Sequence, residues 1–262
     1  MNIKIFNEDC FVTMKKMQKF SKKVNIILTS PPYNTGRKTQ DDKNRNQYQG
    51  KYDIYIDNKT QEEYIEWTLN LFKEFDNILS ENGVILYNLS YGSDATINTS
   101  SIGLMWLVVG EIIKKSDFTV ADRIIWKKKS ALPNNTSKNK LTRIVEDIFV
   151  FVRKNEIKTF YANKEIKSIR KDRPNQIYYE NVFNFIEAKN NDGACKLNKA
   201  TFSSELVEKL LSIYANENSI IYDPFMGTGT TAVGCKNKNL MCWGSELSKE
   251  QCLYAKERLN NV

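Results

Sequence analysis

Ser219-Ile220-Ile221-Tyr222-Asp223-Pro224-Phe225-Met226-Gly227-Thr228-Gly229-Thr230-Thr231 decides the fold. Its opening residues are an apolar, β-branched run of strand length, and Pro224 ends the run because proline cannot donate to a sheet ladder. Two glycines spaced by one residue then form a turn whose backbone a ligand can approach closely. Ala232-Val233-Gly234-Cys235-Lys236 continues as a helix, Leu240-Met241-Cys242-Trp243-Gly244 as another strand, and Glu246 follows. Strand, glycine turn, helix, strand and acid in that order make a nucleoside-binding half-unit, in which the acid accepts hydrogen bonds from ribose hydroxyls. Two other readings of the same letters compete. Gly229 to Gly234 has P-loop glycine spacing, but Cys235-Lys236 stands where Lys and then Ser or Thr are required. Gly227-x-Gly229-x-x-Ala232 fits a dinucleotide fingerprint, which keeps an NAD oxidoreductase in view. A dinucleotide needs two successive half-units, however, and only 16 residues follow Glu246.

Near the other end, Val24-Asn25-Ile26-Ile27-Leu28 reads as a second buried strand and runs into Thr29-Ser30-Pro31-Pro32-Tyr33-Asn34. Two prolines stiffen this loop at the carboxyl end of a strand, where open α/β sheets bind ligands. Ser30 offers a hydroxyl, Pro31 a carbonyl and Tyr33 a flat ring, a set suited to gripping a planar base with an exocyclic amino group. A plain Pro-Pro turn beside a half-buried tyrosine accounts for the same letters without any chemistry.

Together, Thr-Ser-Pro-Pro-Tyr at 29–33 and Asp-Pro-Phe-x-Gly-x-Gly-Thr-Thr at 223–231 resemble the amino-DNA methyltransferases. With the catalytic motif first and the cofactor motif last, the order is similar to the β class of that family over nearly the whole chain. The resemblance implies an α/β, Rossmann-like fold with a mostly parallel twisted sheet, helices on both faces and a small target-recognition insert. It implies S-adenosylmethionine (SAM) as cofactor and methylation of cytosine N4 or adenine N6. Catalytic roles fall on Ser30, Pro31, Pro32 and Tyr33. Cofactor roles fall on Asp9, Cys10, Thr201, Phe202, Ser203, Asp223, Pro224, Phe225, Gly227, Gly229, Thr230, Thr231 and Glu246. In this scheme Ser30 and the Pro31 carbonyl accept the two amino N–H groups, while Tyr33 stacks on a base flipped out of the duplex. Ser30 favours cytosine N4, since adenine-modifying relatives mostly carry Asp or Asn at that position.

Two departures stand out. Glu8 occupies the place of a family glycine just before Asp9, whose carboxylate would read the cofactor's adenine amino group. Asn198-Lys199 replaces a His-Pro pair, although a helix start with Thr201 and Ser203 still offers amides to a carboxylate.

Composition narrows the chemistry. The chain has 262 residues and no histidine, which removes His-based hydrolytic and zinc mechanisms. No Pro-Cys pair occurs, so the cysteine nucleophile of cytosine C5 methylation is missing as well. The five cysteines lack C-x-x-C spacing and no secretory segment is evident, which predicts a reduced cytoplasmic setting. No apolar run is long enough to span a bilayer. Lys114 to Arg173 holds 17 Lys and Arg against 7 Asp and Glu, a net of +10 in a chain of +8, so the remainder carries −2. Such a stretch suits a polyanion, as it also suits a Lys-rich solvated surface. The expected partner is double-stranded DNA. A cognate restriction endonuclease, and monomer against homodimer, stay open; a non-catalytic nucleic-acid-binding protein of this fold is the alternative class.

Three segments organise the chain: a catalytic part over 1–154, a target-recognition region over 155–196, and a SAM-binding part over 197–262 of the same domain. Asp9 heads a helix beginning at Phe11. Thr35 to Thr60 is a long polar loop, which the family resemblance implies closes over DNA and the active site, and its Asp53 and Asp57 read as solvated acids, not metal ligands. Thr60 and Glu63 predict a capping box for a helix over 61–79, where Tyr64, Trp67 and Leu71 widen a core-facing stripe. Glu81-Asn82-Gly83 should end that helix before a strand at Val84–Leu89. Further elements are expected over 102–115, 118–127, 144–153 and 200–214, and the alternation of strands with helices predicts a parallel sheet.

Overall fold

The computed structural model describes residues 3–34, 59–90, 101–130, 138, 141–193, 197–198 and 201–261. In chain order they form β1 (Ile3–Phe6), α1 (Cys10–Lys19), β2 (Val24–Thr29), α2 (Gln61–Ile78), β3 (Leu79–Leu89), α3 (Ser101–Lys115), β4 (Phe118–Lys128) and β5 (Val145–Arg153). There follow β6 (Ile166–Arg170), β7 (Arg173–Tyr179), β8 (Phe185–Ala188), α4 (Ser204–Tyr214), β9 (Ile220–Asp223), α5 (Thr230–Asn237), β10 (Met241–Ser245) and α6 (Lys249–Asn260). Eight strands join in the order β1-β10-β9-β2-β3-β5-β4-β8, and β6 pairs with β7 apart from them. β5 is antiparallel to β3 and β4; the other pairings in the large sheet are parallel. The expected α/β architecture is therefore the one that forms.

β5 shows why the sheet is covered twice. Phe149 and Phe151 enter one core with residues of α1, α2 and α3, while Ile148, Val150 and Val152 enter another with α4 and α5. A strand apolar on both pleats must be buried on both. In the first core Phe72 meets Tyr87, Phe118 and Phe151 edge-on, at centroid separations of 5.2, 5.6 and 4.9 Å. Truncating such a fully buried ring costs about 3–5 kcal/mol.

α2 starts as its sequence signals. Thr60 Oγ1 accepts from Glu63 N at 3.2 Å and Glu63 Oε2 accepts from Thr60 N at 2.8 Å. Its end differs from expectation: the helix stops at Ile78, and Leu79 already pairs with Val24. The register then jumps to Ile26↔Val84, so the Glu81-Asn82-Gly83 turn is a bulge inside β3, with Asn82 at φ +55°. Arg153, at the end of β5, fastens this bulge by donating to Asp76 Oδ1 and to the carbonyls of Asp76, Leu79 and Ser80.

Residues 155–196 also hold more order than their periodicity suggests. β8 extends the large sheet by pairing with β4, and β6 and β7 make a hairpin exposing Lys167, Lys171, Arg173, Tyr178 and Tyr179. Four-residue β8 is too short for its alternation to stand out in a polar stretch. The 35–58 loop, with Asp53 and Asp57, and Cys195 lie outside the described residues. Among the described residues no helix is long and apolar enough to cross a membrane.

Candidate functional site

β9 lies between β10 and β2, so the strand order reverses there and connections leave on opposite sides. Such a switch point opens a crevice at the carboxyl ends of the strands. A cleft occupies this position. The loop after β1 contributes Asp9 and Cys10 to it, the loop after β2 Ser30 and Pro32, the turn after β9 Asp223 to Thr228, and the end of β10 Ser245 and Glu246. The proline loop and the glycine turn, nearly two hundred residues apart in sequence, thus face one cavity.

Asp223 is the joint between them. Its Oδ1 accepts from Thr29 Oγ1 at 2.8 Å and Phe225 N at 3.0 Å, and Oδ2 accepts from Thr231 Oγ1. Complete burial nonetheless pushes its carboxyl up to about 6, because desolvation penalises the anion more than these donors favour it. Gly227 and Gly229 sit at φ +55° and +83°, a region open to glycine and strained for other residues. A Cβ on Gly229 would lie 2.7 Å from Ala255 Cβ, so the turn also needs a residue without a side chain where it packs on α6.

Glu246 closes the other side. Its Oε2 accepts from Gly227 N at 2.7 Å and Oε1 from Ser248 N at 2.8 Å, which holds the carboxylate against the glycine turn at the edge of the cleft. Asp9 caps α1 by accepting from Phe11 N at 2.7 Å and lines the cleft as well. Glu8 solves its own misfit. It keeps an ordinary negative φ and turns its carboxylate onto α1, where Thr13 Oγ1 and Lys16 Nζ donate to it. The Lys16 ammonium holds the Glu8 carboxyl below its usual range. Burial raises the Cys10 thiol, which therefore stays protonated.

The clamp side is built from neutral groups. Ser30 Oγ is in hydrogen-bond contact with Tyr33 Oη, and Tyr33 Oη donates to Asn88 Oδ1 at 2.7 Å. Tyr64 Oη donates to the Pro32 carbonyl at 2.7 Å, so α2 props the loop from below. No donor among the described residues meets the Pro31 carbonyl. Trp67 adds an aromatic wall, stacked on Tyr64 and tilted against Phe225, each at 5.7 Å.

Of the residues singled out by sequence, Asp9, Cys10, Ser30, Pro32, Thr201, Phe202, Asp223, Pro224, Phe225, Gly227, Thr230 and Glu246 line the cleft. Pro31, Tyr33, Gly229 and Thr231 are not among the residues that line it. Ser203 is set apart: it is fully buried, caps α4 through Leu206 N at 3.3 Å, and donates to the Lys189 carbonyl. Three amides at that helix start have partners within the protein: Ser204 N donates to Asp192 Oδ1, and Leu206 N and Val207 N donate to Ser203. Asp192 is gripped in turn by Arg258, which also donates to the Thr228 carbonyl at 3.0 Å. Sequence reasoning missed Trp67, which it assigned to the core, and Ser245 and Gln251. Gln251 Oε1 accepts from Asn198 Nδ2 at 3.1 Å, in the place where His-Pro was expected. Nothing in single-residue chemistry marks these; the packing of α2 and α6 and the end of β10 bring them to the cleft.

Much of the basic stretch is internally paired. Arg123 meets Asp147, Lys127 meets Glu187, Lys128 meets Glu146, Lys129 meets Glu205, and Arg153 meets Asp76. The basic surface left for a polyanion shifts toward the hairpin.

A family model described as DNA methylase, for N6 and N4 methyltransferases, matches residues 24–257. Orphan methyltransferase M.BamHII of Bacillus amyloliquefaciens is 27% identical over 265 residues, spanning 91% of this chain and 89% of that protein. Two solved structures share the fold. PvuII DNA methyltransferase (cytosine-N4-specific) superimposes with a TM-score of 0.71 at 19% identity, covering 100% of this chain and 88% of that one. The M1.HpyAVI-SAM complex gives 0.60 at 23% identity, with 98% and 99% covered.

Proposed function

The chain belongs to the N6/N4 DNA methylases, and from that premise we propose that it transfers the methyl group of SAM to the exocyclic N4 of cytosine in double-stranded DNA. The observation that carries this reading is that Ser30 and Glu246 look into one cleft from opposite sides.

The cleft's donor set fits SAM. Glu246 lines the cleft as the acid for the ribose hydroxyls, the glycine turn lets a ligand approach its backbone, and Phe11, Trp67 and Phe225 give flat apolar surface to a purine. Asp9, with one oxygen committed to its cap, retains another for an amino group. Thr201, Asn198 and Gln251 place polar side chains at the end where the amino-acid portion would lie. SAM brings a methyl group on a positively charged sulfur, which is already an activated donor. The protein's task is thus alignment rather than strong acid–base chemistry, in keeping with a chain that has no histidine.

An exocyclic amino nitrogen is a poor nucleophile because its lone pair is delocalised into the ring. Ser30 Oγ and the Pro31 carbonyl accept its two N–H groups and draw the nitrogen toward tetrahedral geometry. The released lone pair then points into the cleft. Tyr33, held by its hydroxyl, stacks on the extruded base; extrusion is required because the amino group is out of reach in the duplex. The proton leaves to solvent after transfer. Ser30, in place of an acid, favours cytosine over adenine. Residues 155–196 serve as target-recognition region, with the β6–β7 hairpin supplying phosphate contacts from its lysines and stacking or edge contacts from Tyr178 and Tyr179.

Digesting DNA treated with the purified protein and SAM, and weighing the nucleosides, tests this. N4-methylcytosine is the expected product. N6-methyladenine alone would reverse the choice of base, and no methylated nucleoside on mixed-sequence DNA would leave a non-catalytic DNA-binding protein.

A further inference from the structure

We propose that Asn88 is a positioning residue that fixes the direction of the Ser30 hydroxyl, so that the clamp accepts an amino group and refuses a carbonyl at the same place on a base. The inference rests on the amino-base reading above and deepens it. Asn88 is buried near the end of β3 and does not line the main cleft. Its amide has one orientation, because Nδ2 donates to the Asp147 carbonyl across the β3–β5 pairing at 3.2 Å. Asp147 is itself held, its Oδ1 accepting from Arg123 Nε at 2.7 Å. The atom turned to Tyr33 is therefore Oδ1, and an amide oxygen can only accept.

The remaining steps are a count of protons. Tyr33 Oη must donate at its 2.7 Å contact with Asn88 Oδ1. A phenol has a single proton, so Tyr33 can only accept in its contact with Ser30. Ser30 must donate there, and its single proton is spent as well. What Ser30 turns to the cleft is a pair of lone pairs. An isolated serine would be ambivalent, rotating to donate or to accept as the ligand required. Here the chain Asn88–Tyr33–Ser30 removes that freedom. An amino nitrogen brings the N–H that Ser30 lacks, whereas a keto oxygen would meet lone pairs and be left unpaired. An unpaired buried polar group of this kind corresponds to a discrimination of about ten- to a hundredfold.

The test first maps the modified site by sequencing DNA from cells expressing the chain, then builds duplexes with that site. Each duplex carries either the amino base at the target or its keto counterpart, uracil for cytosine or hypoxanthine for adenine. Equilibrium binding of both is measured in the presence of S-adenosylhomocysteine for the wild type, Asn88→Leu, Tyr33→Phe and the double variant. The wild type should prefer the amino duplex by about tenfold or more. Each single variant should bring the two affinities within about threefold, the double should add nothing further, and SAM affinity should not move, since residues acting as one unit are non-additive. An unchanged amino-to-keto ratio in Asn88→Leu, with turnover lowered, would overturn the proposal and leave Asn88 as packing. If thermal melting shows Asn88→Leu unfolded, Tyr33→Phe decides alone: a retained ratio overturns the proposal. A wild type that methylates DNA yet shows no amino preference would likewise overturn the proposal, whereas one that transfers no methyl group would instead overturn the functional reading on which it stands.

Discussion

The two walls of the cleft hold their groups in different ways. On the glycine-turn side, Asp223 and Glu246 are carboxylates, and each collects hydrogen bonds from backbone amides or threonine hydroxyls. On the clamp side a neutral chain runs from Asn88 through Tyr33 to Ser30. An ionised acid is acceptor-only by virtue of its charge, whoever its neighbours are. A hydroxyl has no fixed direction until a neighbour imposes one. One wall therefore carries its polarity within single residues, and the other carries it in an arrangement of three.

The sharpest way to separate the walls is Ser30→Ala, expected to lower turnover by about 10²–10³-fold, as loss of one preorganised polar group at a reacting atom does. SAM affinity, measured by calorimetry, should stay put; a parallel loss of SAM binding would show that the walls do not act separately. Asp223→Asn addresses the charged wall through pH. The folded carboxyl lies near 6 against 3.8 ordinarily, so the stability its protonated form contributes is complete below about 3.8 and is lost as pH rises through about 6. Relative to Asp223→Asn, wild-type stability by chemical denaturation should fall by ~2 kcal/mol between pH 4 and 6.5. A flat difference across that window would refute the assignment. Glu246→Gln should weaken SAM binding by about 10–100-fold, the worth of hydrogen bonds to a charged group, while turnover at saturating SAM is largely kept. The smallest effect is expected away from both walls. Lys167→Glu with Lys171→Glu should reduce the slope of log affinity for DNA against log salt by about 2 and leave SAM binding alone.

This difference also governs how much could be read before the structure. Asp223, Glu246 and the glycines announce themselves because charge and conformational freedom belong to the residue. The Thr60–Glu63 box and the two-faced apolar strand at β5 are legible for the same reason: the signal is local. Asn88 gives no such sign, being one polar letter in a buried strand 55 positions from Tyr33. Trp67 fits the apolar stripe of α2 equally well whether it meets the core or a cleft, and only the placement of Phe225 decides. Ser203 reads as a ligand contact because a helix start with hydroxyls offers amides. Asp192, from a neighbouring loop, takes the first of those amides, and no spacing rule connects the two. β3 starts earlier than its sequence signals because Asn82 and Gly83, ordinary chain-breaking residues, here form a bulge that keeps Leu79 in the sheet.

The hydrogen bond between Thr29 and Asp223 spans 194 positions. On the ribosome, the proline loop emerges long before the strand it must sit beside. Pairing across so great a separation is costly in loop entropy and slow to form. A growing polypeptide therefore carries half a pocket until residues 219–246 have emerged, and the enzyme becomes competent only after they are released.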